Sequence, residues 1–464
     1  MSIAVATPRH CFGLKADVAD NICYLDEQTI IYPSGSNCIL FNIDQKSQRF
    51  IPGTDKSAGM TSMAVSPNRR YVAIAEKGEK ATITIYDLNT LRKKKVLSST
   101  EVQSNEFVSL AFSPDSKYLV SQGGRPDWTL LYWTWEKAKV MAVTKSTNQM
   151  NSPVYQVTFN PQDNTQLCVV GNGIFKLFRY SEGNLKQFAF QKMEPQNFLC
   201  QAWVSDERII AGTDSGRLLL FESGELKSEF HVGGGGANAS APTRQSMASV
   251  PESGVSQDTP PQVTCIIAFS KGFICSGGAG TVHLFEKTEE KDFYKKAREI
   301  KIPVDTQSPD PQLLENQEIV NLTVSPSEET LVCSTKTSQL YCITMSTADL
   351  GKGDIATFEL LSQAFHRGVI TGMDVCIRKP LIATCGLDRS VRQVIWSQDD
   401  SKIISCGMDG AVYEWNVTSY KREGESVLKS CSYTGVSVSP DSRTTFAVGS
   451  DRTLKEICDS QVGF

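Results

Sequence analysis

Apolar and polar residues alternate along this chain in runs of about five or six, and each run stops at a cluster of Gly, Asp, Asn, Ser or Pro. A two-residue period marks a half-buried β-strand, and the clusters mark turns. Three such runs recur as a unit: a strand closed by a Ser-Pro-like turn, a second strand, then a tight turn and a third strand carrying an aromatic residue. Met63-Ala-Val-Ser-Pro67 leads to Tyr71-Val-Ala-Ile-Ala75 and on to Ala81-Thr-Ile-Thr-Ile-Tyr-Asp87. Leu110 to Val120 leads to Leu130-Leu-Tyr-Trp133, and Val157-Thr-Phe-Asn-Pro161 leads to Leu167-Cys-Val-Val170 and Phe175-Lys-Leu-Phe178. Pro67, Pro114 and Pro161 follow one another at intervals of 47 residues.

Further copies lie over 202–221, 267–285, 322–343, 373–392, 394–416 and 436–457, with a divergent first copy over 21–42. A period in the forties with about four short strands per unit predicts an all-β fold, a β-propeller. The rival β-sandwich would not repeat the same turn chemistry at the same offsets. Seven copies fall before Ser362, enough to close a ring with no free sheet edges. The expected domains are a seven-bladed propeller over 10–360 and an incomplete second set of blades over 361–464.

The pattern breaks twice. From Phe230 to Pro261 the chain is rich in Gly, Ser, Pro and Gln, so 233–262 reads as a disordered insert loop between blades, an ordinary surface insertion before a docking tether. Farther on, Gly386 and Gly407 hold the same place in the repeat yet lie 21 residues apart, whereas Gly407 to Gly449 spans 42. Half a blade is therefore missing. Val391-Arg392 begins a third strand, while Gln393-Val-Ile-Trp already reads as the next blade's first strand, which looks like an internal excision of the kind alternative splicing produces.

The turn between second and third strands reads Gly212-Thr-Asp214, Gly386-Leu-Asp388, Gly407-Met-Asp409 and Gly449-Ser-Asp451. Gly tolerates the positive φ of a tight turn and Asp caps it through its carboxylate. With Trp133 and Trp415 on third strands, this resembles the WD40 repeat. The resemblance implies a polar network linking the turn Asp to a His before the first strand, a Ser or Thr on the second and a Trp on the third. His366, Thr384 and Asp388 match three of those places, and Asp409, Trp415, Asp214 and Asp451 match single ones.

Composition narrows the function. Lys plus Arg number 47 against 51 Asp plus Glu, a formal charge of −4, which argues against nucleic acid or a basic membrane-binding surface. No apolar run reaches the roughly 20 residues of a membrane span, and no secretory leader is expected at the N-terminus. The 14 cysteines sit singly in strand-like runs without CxxC spacing, so reduced cytosolic thiols are the expectation. The four histidines form no HExxH, and neither a GxSxG elbow nor a GxxxxGK[ST] loop occurs. Gly277-Gly-Ala-Gly280 lies between two strands and reads as a hairpin turn rather than a phosphate cradle. No catalytic residue, cofactor, metal or small-molecule substrate is expected. The mixed-charge run 286–298 reads as a solvated loop or short helix, with Phe293 and Tyr294 a candidate partner patch. Leu91-Arg-Lys-Lys-Lys95 is a small basic cluster.

Ser113-Pro-Asp-Ser-Lys-Tyr118, Asn160-Pro-Gln-Asp-Asn-Thr165, Lys291-Asp-Phe-Tyr294 and Ile377-Arg-Lys-Pro-Leu-Ile-Ala-Thr384 resemble the cilia- and flagella-associated WD-repeat proteins of motile cilia. The resemblance covers nearly the whole chain and is weakest in the 233–262 insert. It implies a non-enzymatic scaffold of the axoneme: two propellers and a coiled coil that help position a subset of inner dynein arms near the nexin–dynein regulatory complex. Implied partners are inner-arm dynein subunits, that regulatory complex and axonemal microtubule proteins, in cytoplasm, cytoskeleton and cilium. This sequence carries no heptad region and lacks blades between Arg392 and Gln393, so it resembles a shortened form. The alternatives are a cytoplasmic dynein preassembly factor or a general protein-interaction propeller.

Overall fold

The computed structural model describes residues 9–54, 57–188, 194–232, 261–278, 280–289, 294–303, 317–345, 356–362, 366, 369–387, 390–458 and 461–463, the side chains of 458 and 461–463 excepted. The chain divides into two compact units, Met1–Gln363 and Ala364–Phe464.

In unit 1 the alternating runs pair into seven sheets, each built on an antiparallel meander. Their first strands are Cys23–Tyr24, Met60–Val65, Phe107–Phe112, Val154–Phe159, Phe198–Trp203, Ile266–Phe269 and Ile319–Val324. Position within the sheet explains the composition of each strand. Second strands such as Tyr71–Glu76 are buried at every residue, because neighbouring sheets cover both faces. Outermost strands such as Glu225–His231 alternate between exposed and half-buried. The shared apolar layers lie between adjacent sheets. The layer between the second and third sheets holds Ile83, Leu97, Phe107, Trp133 and Trp135, the two tryptophans 0 % and 1 % exposed. An aromatic ring there removes roughly 150–250 Å² from water, about 4–6 kcal/mol at 25 cal/mol per Å², before ordering entropy is subtracted.

The ring closes between the seventh and first sheets. The Tyr24 N–H donates to Thr323 Oγ1 at 3.1 Å, and Ser334 donates to Asn21 Oδ1 at 2.8 Å. Val332 and Leu340 of the seventh sheet join Ile22, Tyr24, Ile30 and Tyr32 of the first in one apolar cluster. A strap ties the sixth and seventh sheets at the rim. Ala356–Thr357 pairs parallel to Ile300 and Lys301 of the sixth sheet, and the chain then supplies Glu359–Ser362 as the outer strand of the seventh.

Unit 2 holds a two-stranded eighth sheet (Ile370–Val375, Ile382–Gly386) and four-stranded ninth and tenth sheets. The ninth begins with Val391–Trp396 and the tenth with Tyr433–Val438. Here one expectation is corrected. Val391 and Arg392 do not form a third strand on the eighth sheet; they open the first strand of the ninth, with Val391 paired to Gly407. The reason is a bulge that most first strands carry just after their first residue, as between Met60 and Ser62, Phe198 and Cys200, and Tyr433 and Gly435. Val391-Arg392-Gln393 supplies the same bulge, so the residues suit a first strand better than a third.

The run 286–298 is also corrected: Thr281–Lys287 and Tyr294–Lys301 are paired strands, not a helix. The 233–262 insert lies almost wholly outside the described residues.

Candidate functional site

The WD-type positions can be placed by register. In the eighth, ninth and tenth sheets Gly386, Gly407 and Gly449 pair with the first residue of the first strand. In the fifth sheet that place belongs to Thr213, so Gly212 sits one residue earlier and the sequence alignment of its turn is shifted by one. Asp214 consequently does not cap the turn; it accepts from Asn197 Nδ2 at 2.9 Å. Thr213 takes over, accepting the Arg217 N–H at 3.0 Å. Asp409 and Asp451 do brace their turns, accepting backbone N–H groups of Ala411 at 3.2 Å and Thr453 at 3.3 Å.

Across the chain the polar network is split. His366 Nε2 and Thr384 Oγ1 are 2.8 Å apart, which is one half. Asp388 lies outside the described residues, and among the described residues the eighth sheet has two strands, with no third to carry a Trp. The other half appears elsewhere: the indole N–H of Trp415 donates to Ser405 Oγ, and that of Trp133 to Ser121 Oγ, both at 2.9 Å. Sequence reasoning overlooked Ser121 and Ser405. Their signal is Ser or Thr two residues before the glycine that ends the second strand: Ser121-Gln-Gly123, Thr384-Cys-Gly386, Ser405-Cys-Gly407. The tenth sheet uses an ion pair instead. Lys455, with a fully enclosed side chain, bonds Asp451, donates to Thr453 Oγ1 at 2.6 Å and sits 5.4 Å from the Tyr433 ring.

Sheets are joined by a second repeating device. The second residue of a first strand is often Thr, and its hydroxyl donates to the carbonyl that opens the next first strand. Thr61 donates to Phe107 at 2.7 Å and Thr371 to Val391 at 2.8 Å; Thr264, two residues before its sheet's first strand, donates likewise to Ile319. A polar side chain of one first strand also accepts an N–H of the next, as Ser109 does from Val157 at 3.1 Å and Gln156 from Gln201 at 2.8 Å. These bonds occupy groups on strands that meet side by side without a ladder.

The first strands of unit 1 enclose a cavity of about 690 Å³, lined mainly by aliphatic, amide and hydroxyl groups such as Val65, Leu110, Gln156, Asn160, Leu199 and Asn321. Asp20 lines it too, a carboxylate the sequence reading did not place there; loss of hydration raises it to about 6. Among the described residues no three His, Cys, Asp or Glu side chains gather as metal ligands would. His283 is 4 % exposed, and its Nδ1 lies 3.6 Å from Glu299 Oε2.

Of the two partner-patch residues, Phe293 lies outside the described residues and Tyr294 is a correction. It is 4 % exposed, packed against Phe273 at 5.1 Å and Phe230 at 6.3 Å, because the strand it opens turns its ring into the layer between the fifth and sixth sheets. The basic cluster does face solvent: Lys93, Lys94 and Lys95 lie exposed on the outermost strand Lys93–Leu97 of the second sheet.

Residues 389–416 match the family model described as WD domain, G-beta repeat. They include the first three strands of the ninth sheet. Among solved structures the chain resembles one from the crystal structure of the mitotic checkpoint complex, with a TM-score of 0.54 at 12 % identity, covering 74 % of this chain and 99 % of that one. The WD40 repeats of RRP9 give a TM-score of 0.50 at 14 % identity, covering 70 % and 92 %. These show the fold. Among curated proteins, mouse cilia- and flagella-associated protein 57 is 43 % identical over 586 aligned residues, covering all of this chain and 47 % of the relative. Cilia- and flagella-associated protein 57 A of Tetrahymena thermophila is 25 % identical, covering 85 % of this chain and 33 % of the relative. The chain thus spans half or less of these relatives, and an alignment longer than its 464 residues means the mouse protein carries residues within the matched region that this chain skips. The chain is a WD-repeat β-propeller protein, similar over its whole length to cilia- and flagella-associated protein 57.

Proposed function

We propose that this chain is a protein-docking scaffold of the motile-cilium axoneme that helps hold a subset of inner dynein arms near the nexin–dynein regulatory complex, in support of ciliary motility. The observation that carries the reading is 43 % identity across all 464 residues to a cilia- and flagella-associated relative. The geometry favours binding over bond making. Seven sheets locked side by side make a rigid body whose loops and outer strands offer several faces at once, which suits simultaneous contact with several proteins. Partners in this reading are inner-arm dynein subunits, the regulatory complex and axonemal microtubule proteins. The exposed lysines of Lys93–Leu97 suit an acidic partner surface such as a tubulin tail.

Detergent and salt extraction of cilia expressing the tagged chain tests this. A scaffold stays with the microtubules, and its removal lowers inner-arm dynein content. Complete recovery of the chain in the soluble cytoplasmic pool, with normal axonemal dynein content after its removal, would refute the scaffold reading; cytoplasmic recovery with dyneins lost would point to preassembly instead.

A further inference from the structure

Unit 2 is an arc of three sheets, and its first sheet is covered on one side. Ala383 and Cys385 of the eighth sheet pack with Val394 and Trp396 of the ninth. The other face of the eighth sheet is bare, with Ile370 57 %, Met373 64 %, Val375 50 % and Ile382 65 % exposed. The strand register equates these with Phe198, Gln201, Trp203 and Ile209 of the fifth sheet. There the same face is covered by the preceding sheet. Phe198 and Ile209 share a cluster with Cys168, Val170 and Leu177, and the Trp203 indole donates to Thr158 at 3.0 Å. In this fold, therefore, what covers such a leading face is the trailing face of another sheet.

The tenth sheet shows a bare trailing face. Val448 is 41 % and Leu454 65 % exposed, at the places where the fifth sheet has Gly212 and the fully buried Leu218. Thr434 is the second residue of that sheet's first strand. Its counterparts Thr61 and Thr371 each donate to the carbonyl opening the next first strand. Among the described residues Thr434 donates only within its own sheet, to the Val448 carbonyl at 3.4 Å.

We propose that unit 2 binds unit 2 of a second copy of this chain head to tail. The leading face of one copy (Ile370, Met373, Val375, Ile382) packs on the trailing face of the other (Val448, Leu454), and the Thr434 hydroxyl donates to the Ile370 carbonyl across the joint. The occupant follows from continuity: the contact extends an interface that unit 2 already forms twice within itself, between its eighth and ninth and its ninth and tenth sheets. Two copies bring six radial sheets together, within the roughly four to eight blades of closed propellers; three would bring nine. The assembly is accordingly a dimer with two identical heterologous joints.

Sedimentation velocity of the full chain across micromolar concentrations reads this directly. The wild-type chain sediments as a dimer. Met373→Asp with Ile382→Asp, and separately Leu454→Asp, each place an unpaired carboxylate in the joint and weaken association at least about 100-fold. All three positions are exposed, so far-UV circular dichroism stays unchanged. Mixing the two variant chains restores one-to-one pairs through the single intact joint. Should a charged variant misfold, Thr434→Val reads the same joint and weakens the dimer by roughly tenfold. A wild-type chain monomeric at every concentration overturns the proposal. So does a dimer broken by the leading-face substitutions but indifferent to Leu454→Asp, which would mean a leading-to-leading contact.

Discussion

His283 makes the stability of unit 1 depend on pH in a calculable way. The imidazole is enclosed in the sixth sheet, on the strand Thr281–Lys287, and Gly277 packs flat against it. A Cβ at Gly277 would meet His283 Cδ2 at 2.0 Å. Burial is the largest influence on the ring; Lys296 and Lys301 oppose its charge, and Glu299 only partly favours it. The group falls from its ordinary 6.5 to about 4. The folded ring thus stays neutral down to about pH 4, whereas the unfolded ring takes up a proton near 6.5. Between those values the unfolded state binds more protons, so stability rises with pH; the contribution is complete above 6.5 and is lost as pH falls toward 4. At 1.36 kcal/mol per pH unit, about two and a half units correspond to roughly 3 kcal/mol. His283→Gln cannot take up the proton and removes this loss. Urea unfolding of both chains at pH 7 and pH 4, followed by tryptophan fluorescence, gives the difference in stability at each pH. Other titrating groups are common to both chains and largely cancel. The gap between wild type and variant should shift by about 3 kcal/mol in the variant's favour on acidification. Parallel pH profiles would show that the ring is hydrated in solution and refute the reasoning.

Two further outcomes test the polar devices inside the sheets. Ser121→Ala leaves the indole N–H of the fully buried Trp133 unpaired and should cost about 1–3 kcal/mol, while combining it with Trp133→Phe should cost less than the two single changes together, as a double-mutant cycle in thermal unfolding would read. In unit 2, Asp451→Ala deprives the Lys455 ammonium of its carboxylate and should lower the thermal unfolding midpoint more than Lys455→Met, which fills the same space and leaves Asp451 free to turn to water; equal losses would mean the ion pair is not desolvated.

The strands, the repeat and the fold class were legible in the sequence because period-two patterning and turn chemistry are local properties of five or six residues. The short interval between Gly386 and Gly407 was legible too, and among the described residues the sheet before Gly407 holds two strands. The candidate network was legible only in fragments. His366 with Thr384 came together, but the Ser–Trp halves at Ser121–Trp133 and Ser405–Trp415 went unrecognised, although the Ser-x-Gly signal was there to be read.

What only the tertiary structure decided were matters of register and enclosure. A one-residue offset separates Gly212 from its apparent counterparts and takes Asp214 out of the turn, and only ladder pairing reveals such an offset. Val391-Arg392 has strand character either way; a bulge and an inter-sheet bond from Thr371 choose the ninth sheet. Tyr294 among charges reads as a surface aromatic until the fifth sheet is laid against it. Local sequence determines which segments extend and where they turn. Whether a given face meets a neighbouring sheet or water depends on residues a blade or more away, and no local pattern contains them.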